Sequence, residues 1–187
     1  MPPVVLGFHG KRRSGKDTAA ALLASEHTIA FAKPLKDAAR DLCGFTDEQL
    51  YGDDKEVAHP FWGFSAREFL QRLGTALAGE FGADFLVRRT DQVFLAEQAA
   101  AVVAFTDVRF PPEAAYVRAR GGSVVCVKRP AAEATDQFSK HASEQELAPE
   151  HVDFYVDNDG TLEQFRERLR LVVARVQAGG APKRQRV

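Results

Sequence analysis

The chain has 187 residues, with 25 Lys and Arg against 26 Asp and Glu, a net charge of −1, 45% apolar residues and 27% charged residues. A chain of this length buries roughly 70% of the surface its unfolded form exposes, so one soluble domain can hold its own core without disulfides or structural metal. Near-neutral charge argues against a protein whose main business is neutralising nucleic-acid phosphate; any polyanion bound should be small, and no stable nucleic-acid partner is expected.

The first apolar run, Val4-Val5-Leu6-Gly7-Phe8, ends in a glycine-bearing turn and reads as a buried parallel strand. A helix follows from about Asp17 to Ser25, then a strand at Thr28-Ile29-Ala30-Phe31 and a helix opened by Pro34 that runs to Leu42 before Gly44. Thr46-Asp47-Glu48-Gln49 is a capping box for one or two helical turns, and Tyr51 to Phe64 mixes Gly, Pro, charges and aromatics as an excursion. Ser65-Ala66-Arg67-Glu68 is a second capping box. The helix it opens runs from Ala66 to about Glu80, with Leu70, Leu73, Leu77 and Phe81 as its buried stripe and Arg67, Gln71 and Thr75 aligned on another face. That polar face is either a solvated surface or a place for a ligand.

A helix is predicted over Asp84 to Gln98, followed by the most apolar run, Ala101 to Thr106, as a central strand bounded by Asp107. Glu113 to Arg120 is helical, Gly121-Gly122 stops it, and Ser123 to Val127 is a β-branched strand. Arg129-Pro130 opens a polar stretch with little periodicity to Pro149; Val152 to Val156 is a last strand, and Thr161-Leu162-Glu163-Gln164 caps a final helix to Gln177. Gly179 to Val187, with Lys183, Arg184 and Arg186, reads as a frayed basic tail. Alternating strands and helices imply an α/β fold of three layers, a parallel sheet with helices on both faces, in one domain over residues 1–178.

No apolar run approaches the ~20 residues of a membrane span, and the amino terminus lacks a cationic segment leading a signal-type stretch. Cys43 and Cys126 stand far apart and fit a reducing compartment as small core hydrophobes, and the sole Asn, Asn158, is followed by Asp159-Gly160, so no N-glycosylation acceptor exists. The expectation is a cytoplasmic protein with no membrane partner.

The chemistry is carried first by Gly10-Lys11-Arg12-Arg13-Ser14-Gly15-Lys16, a G-x-x-x-x-G-K loop between the first strand and the first helix. Glycines let the backbone wrap a phosphate chain, successive N–H groups and the helix N-terminus favour anionic oxygens, and Lys16 reaches the β and γ phosphates. A nucleoside triphosphate site is therefore predicted. The position that normally holds a Mg²⁺-binding Ser or Thr is Asp17, followed by Thr18, so either contacts the metal. Asp107 ends the apolar strand at the carboxyl edge of the sheet, where ligands bind in such folds, and suits a hold on Mg²⁺, or else merely caps the next segment. Arg109 would offset phosphate charge. No Asn-Lys-x-Asp guanine reader exists, which excludes an ordinary GTPase, and the short chain leaves little room for the coupling elements of a motor. Small-molecule phosphoryl transfer is favoured.

The loop extended to Asp17-Thr18, then Phe31-Ala32-Lys33-Pro34-Leu35-Lys36, then Arg67-Glu68-Phe69-Leu70-Gln71-Arg72-Leu73-Gly74-Thr75, then Thr106-Asp107-Val108-Arg109-Phe110-Pro111, together resemble the phage-type deoxynucleoside monophosphate kinases over most of residues 4–165. The resemblance implies a P-loop nucleoside monophosphate kinase fold with an acceptor-binding excursion at about 34–90 and a lid at about 129–149. It implies ATP and Mg²⁺ as cofactors and a deoxynucleoside monophosphate (dNMP) as substrate. Lys16 and the loop from Gly10 to Thr18 would hold the donor. Arg67, with Lys36 and Arg88, would bind the acceptor's 5′-phosphate, Gln71 and Thr75 would read sugar or base, and Trp62, Phe61 or Phe64 would stack on it unless they serve ordinary packing. Arg129 and Lys140 are lid candidates, and His141-Ala142-Ser143-Glu144 matches a similar element of the family. His9, His27, His59 and His151 are left as structural or surface residues. Relatives are often dimeric, so a homodimer is admitted, and a phage-encoded protein would act in its host's cytoplasm. A related loop occurs in animal-type phosphomevalonate kinases, so the loop alone leaves open another phosphorylated acceptor, such as phosphomevalonate or dephospho-coenzyme A. A nucleotide-dependent, DNA-associated accessory protein is the reading from a different class.

Overall fold

A computed structural model describes residues 3–23, 27–97, 100–130, 145–179 and 185–186. In chain order its regular elements are β1 (Val4–His9), α1 (Lys16–Leu23), β2 (Thr28–Ile29), α2 (Lys33–Cys43), α3 (Asp47–Tyr51), α4 (Ala66–Phe81), α5 (Phe85–Phe94), β3 (Val102–Phe105), α6 (Pro111–Ala119), β4 (Ser123–Lys128), β5 (Phe154–Asp157), α7 (Leu162–Gln177) and β6 (Gln185–Arg186). The chain divides into two compact units, one of Met1–Phe31 with Arg89–Val187 and one of Ala32–Arg88.

The first unit holds a sheet of order β2-β3-β1-β4-β5-β6 in which every pairing is parallel. β1 lies between β3 and β4, with Val4 opposite Val102 and His9 opposite Cys126. The strand expected to be central is β3, one place in from the edge. Both faces are covered, as a parallel sheet requires. Leu6 and Phe8 of β1 join Ala19 and Ala20 of α1 and Phe165, Leu169 and Val172 of α7 in one buried cluster. Gly7, pointing the other way by strand alternation, faces Val117 of α6 so closely that a Cβ there would come within 2.9 Å of its methyl group. β1 and β4 read as near-continuous apolar runs because both of their faces are buried.

Two residues of the tail depart from the expectation of fraying. Gln185–Arg186 pairs with β5, and the Arg186 guanidinium holds both carboxylate oxygens of Asp157, at 2.7 and 3.1 Å. A two-residue strand has no periodicity to read, so only its long-range partner reveals it.

The second unit is helical. Thr46 and Ser65 each accept a hydrogen bond from the N3 amide of their helix while the N3 side chain reaches back, so both predicted capping boxes form. Ala39, Phe45, Leu50 and Ala66 make a buried cluster, flanked by Phe64, Phe69 and Leu70. The predicted stripe on α4 ends early: Phe81 is exposed and its ring lies 5.2 Å from that of Phe85.

Candidate active site

Between β1 and α1 the chain takes conformations that ordinary residues avoid. Gly10 has φ 150° and Gly15 φ 100°, and Arg13 sits in the left-handed region at φ 60°. A Cβ on Gly10 would stand 2.5 Å from the Val127 carbonyl oxygen, so only glycine lets the loop pass β4 here. Ser14 N donates to Lys11 O at 3.1 Å and closes the turn, and Ala19 N to Gly15 O at 2.8 Å begins the helical ladder. Lys16 is the first residue of α1 and half-buried; Asp17 and Thr18 are exposed in its first turn. The loop's backbone and the α1 N-terminus thus form the anion-seeking geometry that the motif implied.

Asn158 braces this loop from β5's carboxyl end. Its Nδ2 donates to Ser14 O at 2.9 Å, while its own amide donates to Lys128 O at 2.7 Å. The sequence reading used Asn158 only to exclude an N-glycosylation acceptor and a guanine reader. Its place, directly after the strand that lies beside β4, was the available signal.

A cleft beside the loop is lined by His9, Gly10, Lys11, Lys16, Val108, Arg109, Gln145 and Glu146. It brings together Lys16 and Arg109, which lie 93 positions apart in the numbering. The turn carrying Arg109 is fixed from below by Glu113, whose Oε2 accepts from Arg109 N at 2.6 Å and Phe110 N at 3.0 Å. Glu113 is buried, and burial together with the nearby Asp107 carboxylate pushes its pKa up to about 8. Sequence reasoning took Glu113 merely as the start of a helix; Pro111-Pro112-Glu113 at the head of α6 carried the hint, since a carboxyl at N3 reaches back to the preceding amides.

Asp107 lies at the carboxyl end of β3, where its Oδ1 accepts from Phe31 N at 2.8 Å and ties β2's end to the loop. Among the described residues no group of three or more His, Cys, Asp and Glu side chains forms a metal cage. Asp17, Thr18 and Asp107 offer oxygen donors alone, which suits a hard divalent cation that takes its other ligands from phosphate and water.

Of the predicted acceptor residues, Arg67 is buried on α4, with Nε 3.2 Å from Glu56 Oε1 in an ion pair. Helical periodicity put it on a polar face; the Glu56 carboxylate is what lets a guanidinium be buried there. One turn on, Gln71 Nε2 is shielded from solvent with no hydrogen-bond partner, and Thr75 is exposed. Lys36 Nζ lies 3.8 Å over the Tyr51 ring. Trp62 donates from Nε1 to Cys43 O at 2.8 Å and stacks on Phe64, an arrangement that fixes its ring whatever else it meets. Arg88 donates to Phe81 O at 2.8 Å near the end of α4 and pairs with Asp84. Arg129 is exposed just after β4. Lys140 and His141 to Glu144 fall outside the described residues.

Against known families, residues 47–169 match the model described as deoxynucleotide monophosphate kinase. The chain belongs to the deoxynucleotide monophosphate kinase family. It is 30% identical over 184 residues to a protein of Acanthamoeba polyphaga mimivirus named "Putative deoxynucleotide monophosphate kinase", covering 89% of this chain and 94% of that one. Among solved structures it is similar to TT1252 from Thermus thermophilus, with 22% identity, a TM-score of 0.49 and coverage of 93% of this chain and 98% of that one. A dephospho-CoA kinase from Campylobacter jejuni gives 12% identity, a TM-score of 0.49 and coverage of 94% and 98%. This deoxynucleotide monophosphate kinase is a phosphotransferase with a small-molecule nucleotide substrate and a nucleotide phosphoryl donor. The family match begins at α3, so it takes in Arg67, Gln71, Thr75, Asp107 and Arg109 but not the phosphate loop. No helix among the kinase's described residues is long and apolar enough to cross a membrane.

Proposed function

We propose that the donor of this kinase is ATP with Mg²⁺, held at the loop Gly10 to Thr18, and that the acceptor is the 5′-phosphate of a dNMP recognised through Arg67. The observation that carries the reading is the cleft in which Lys11, Lys16 and Arg109 converge at the N-terminus of α1. Three cations and a row of backbone donors match a polyphosphate, and Glu146 limits the net charge of the cleft.

Loop amides and Lys16 orient the donor's phosphates, and Arg109 faces the charge that spreads over the transferring group's oxygens. Asp17 or Thr18, with Asp107, would hold Mg²⁺, which when bound neutralises phosphate charge. An acceptor phosphate is already nucleophilic at neutral pH, so no general base is required. Arg67, paired with Glu56, supplies the planar fork that suits a phosphate, and Gln71, with its unused amide donor, reads the sugar or base. Arg129 contributes a further cation from the chain after β4. A cytoplasmic setting, a homodimer and an origin in a phage belong to the same reading.

The test is ADP production from ATP and Mg²⁺ with each of the four dNMPs and their ribonucleotide counterparts. Turnover with at least one dNMP and a loss of about 10²–10³-fold in kcat for Lys16→Ala, with an unchanged melting curve, is expected. Near-normal turnover in a folded Lys16→Ala protein would remove the donor assignment. Arg67→Ala should raise the acceptor's KM; unchanged acceptor constants would reject its role.

A further inference from the structure

His9 closes β1 immediately before the phosphate loop, and it is buried, 5% exposed. Both ring nitrogens have partners from distant parts of the chain. Nδ1 lies 2.9 Å from the Val108 carbonyl oxygen, in the turn that carries Arg109, and Nε2 lies 3.1 Å from the Leu147 amide, beside Glu146. A carbonyl only accepts and an amide N–H only donates. The two partners therefore admit one state of the ring, the neutral tautomer with its proton on Nδ1.

We propose that His9, as the neutral Nδ1–H tautomer, is a positioning residue for phosphoryl transfer: it ties Val108 to Leu147 and so sets Arg109 and Glu146 around Lys16. A cation here would turn an N–H against the Leu147 N–H and release that side of the cleft. The inference rests on the reading of this cleft as the donor site. It gives the kinase a physical reason for losing activity in acid that is separate from titration of its substrates.

The charged groups around the ring pull in both directions. Glu146, from the segment that carries Leu147, favours a proton; Lys16 of α1 and Arg109 of the turn after β3 oppose it. Opposite His9 in β4 is Cys126, whose thiol burial keeps protonated, with a pKa pushed up to about 11. Desolvation is the largest influence on His9 and holds its pKa below the ordinary 6.5. Because the folded value lies below the unfolded one, the contribution of this contact is complete above pH 6.5 and is lost as pH falls from there through the folded value.

Long-range proton–nitrogen NMR of the wild-type protein reads the tautomer and its titration without any substitution. The expected result is an Nδ1–H ring at pH 7.5 that titrates below 6.5; an Nε2–H ring, or titration at or above 6.5, overturns the proposal. Kinetics then compare wild type with His9→Leu, which removes both contacts, and His9→Gln, whose carbonyl still accepts from Leu147 and cannot titrate. His9→Leu should lower kcat by about 10- to 100-fold at pH 7.5 with acceptor KM unchanged. The ratio of His9→Gln to wild-type kcat should rise as pH drops below 6.5, since substrate titration cancels in it. A folded His9→Leu protein with wild-type kcat, or a ratio flat with pH, shows that the ring only fills space. ADP affinity, measured by calorimetry on the same proteins, separates the two readings. Weaker binding by His9→Leu supports the positioning role even if no acceptor is turned over by wild type, a silence that would count against the acceptor assignment alone.

Discussion

A single carboxyl illustrates what burial does to an acid that also has work to do. Glu113 receives two backbone amides, which favour its anion, yet burial and the neighbouring Asp107 outweigh them and raise its pKa to about 8. Between the ordinary value of 4.5 and 8 the folded chain keeps a proton that the unfolded chain has released, so stability falls as pH rises through that window. Glu113→Gln keeps an acceptor oxygen for both amides and cannot ionise. Its melting temperature should exceed that of wild type at pH 8, with the gap closing towards pH 5; a gap that does not change with pH would refute the assignment. Glu113→Ala leaves both amides without their partner and should cost about 1–3 kcal/mol in a urea titration. Residues of this kind were the least legible in the sequence. The turn of the loop from Gly10 to Lys16 could be read because its determinants lie within seven consecutive positions. Glu113, His9, Asn158 and the Glu56 partner of Arg67 take theirs from contacts that only folding creates.

At the level of elements, local signals served well wherever the determinant is local. The boxes at Thr46, Ser65 and Thr161 announced α3, α4 and α7, and each is closed by the predicted pair of side chains. Ser65 is fully buried, so its hydroxyl has no water to fall back on when the N3 amide is left alone. Ser65→Ala should lower stability by about 1–2 kcal/mol, seen as a lower urea midpoint with an unchanged slope. An unaltered midpoint would mean that the box adds nothing to α4. Elements fixed by distant partners were read less well. α5 stops at Phe94 and yields to a single tighter turn, Leu95–Glu97, short of the predicted Gln98. β6 exists because β5 offers an open edge and Asp157 offers a carboxylate to Arg186, neither of which is written in residues 185–186.

Across the whole molecule, order should be distributed unevenly. β1 and β4 are buried on both faces, whereas α4 buries only Ala66 and Arg67 and exposes much of its later half. Local opening follows the number of apolar contacts that must be broken. Native-state hydrogen exchange should therefore find the amides of α4 beyond Leu73 exchanging at least tenfold faster than those of β1 and β4; equal protection would show that the two units open as one. The alternation of strands and helices made the parallel sheet legible in outline. The position of β3 one place from the edge was not legible, because strand order depends on which neighbours arrive to pair.

Those neighbours arrive late. β1 is complete at residue 9, yet its partners β3 and β4 begin at Val102 and Ser123. A ribosome adding roughly 5–20 residues per second leaves the first strand, and the phosphate loop behind it, without a ladder for about 5–20 s. Residues 32–88, contiguous in the chain, emerge whole during that wait. In a cell, β1 and the glycine loop behind it are thus made before the strands that organise them, and for those seconds the apolar residues of β1 are a target for chaperones.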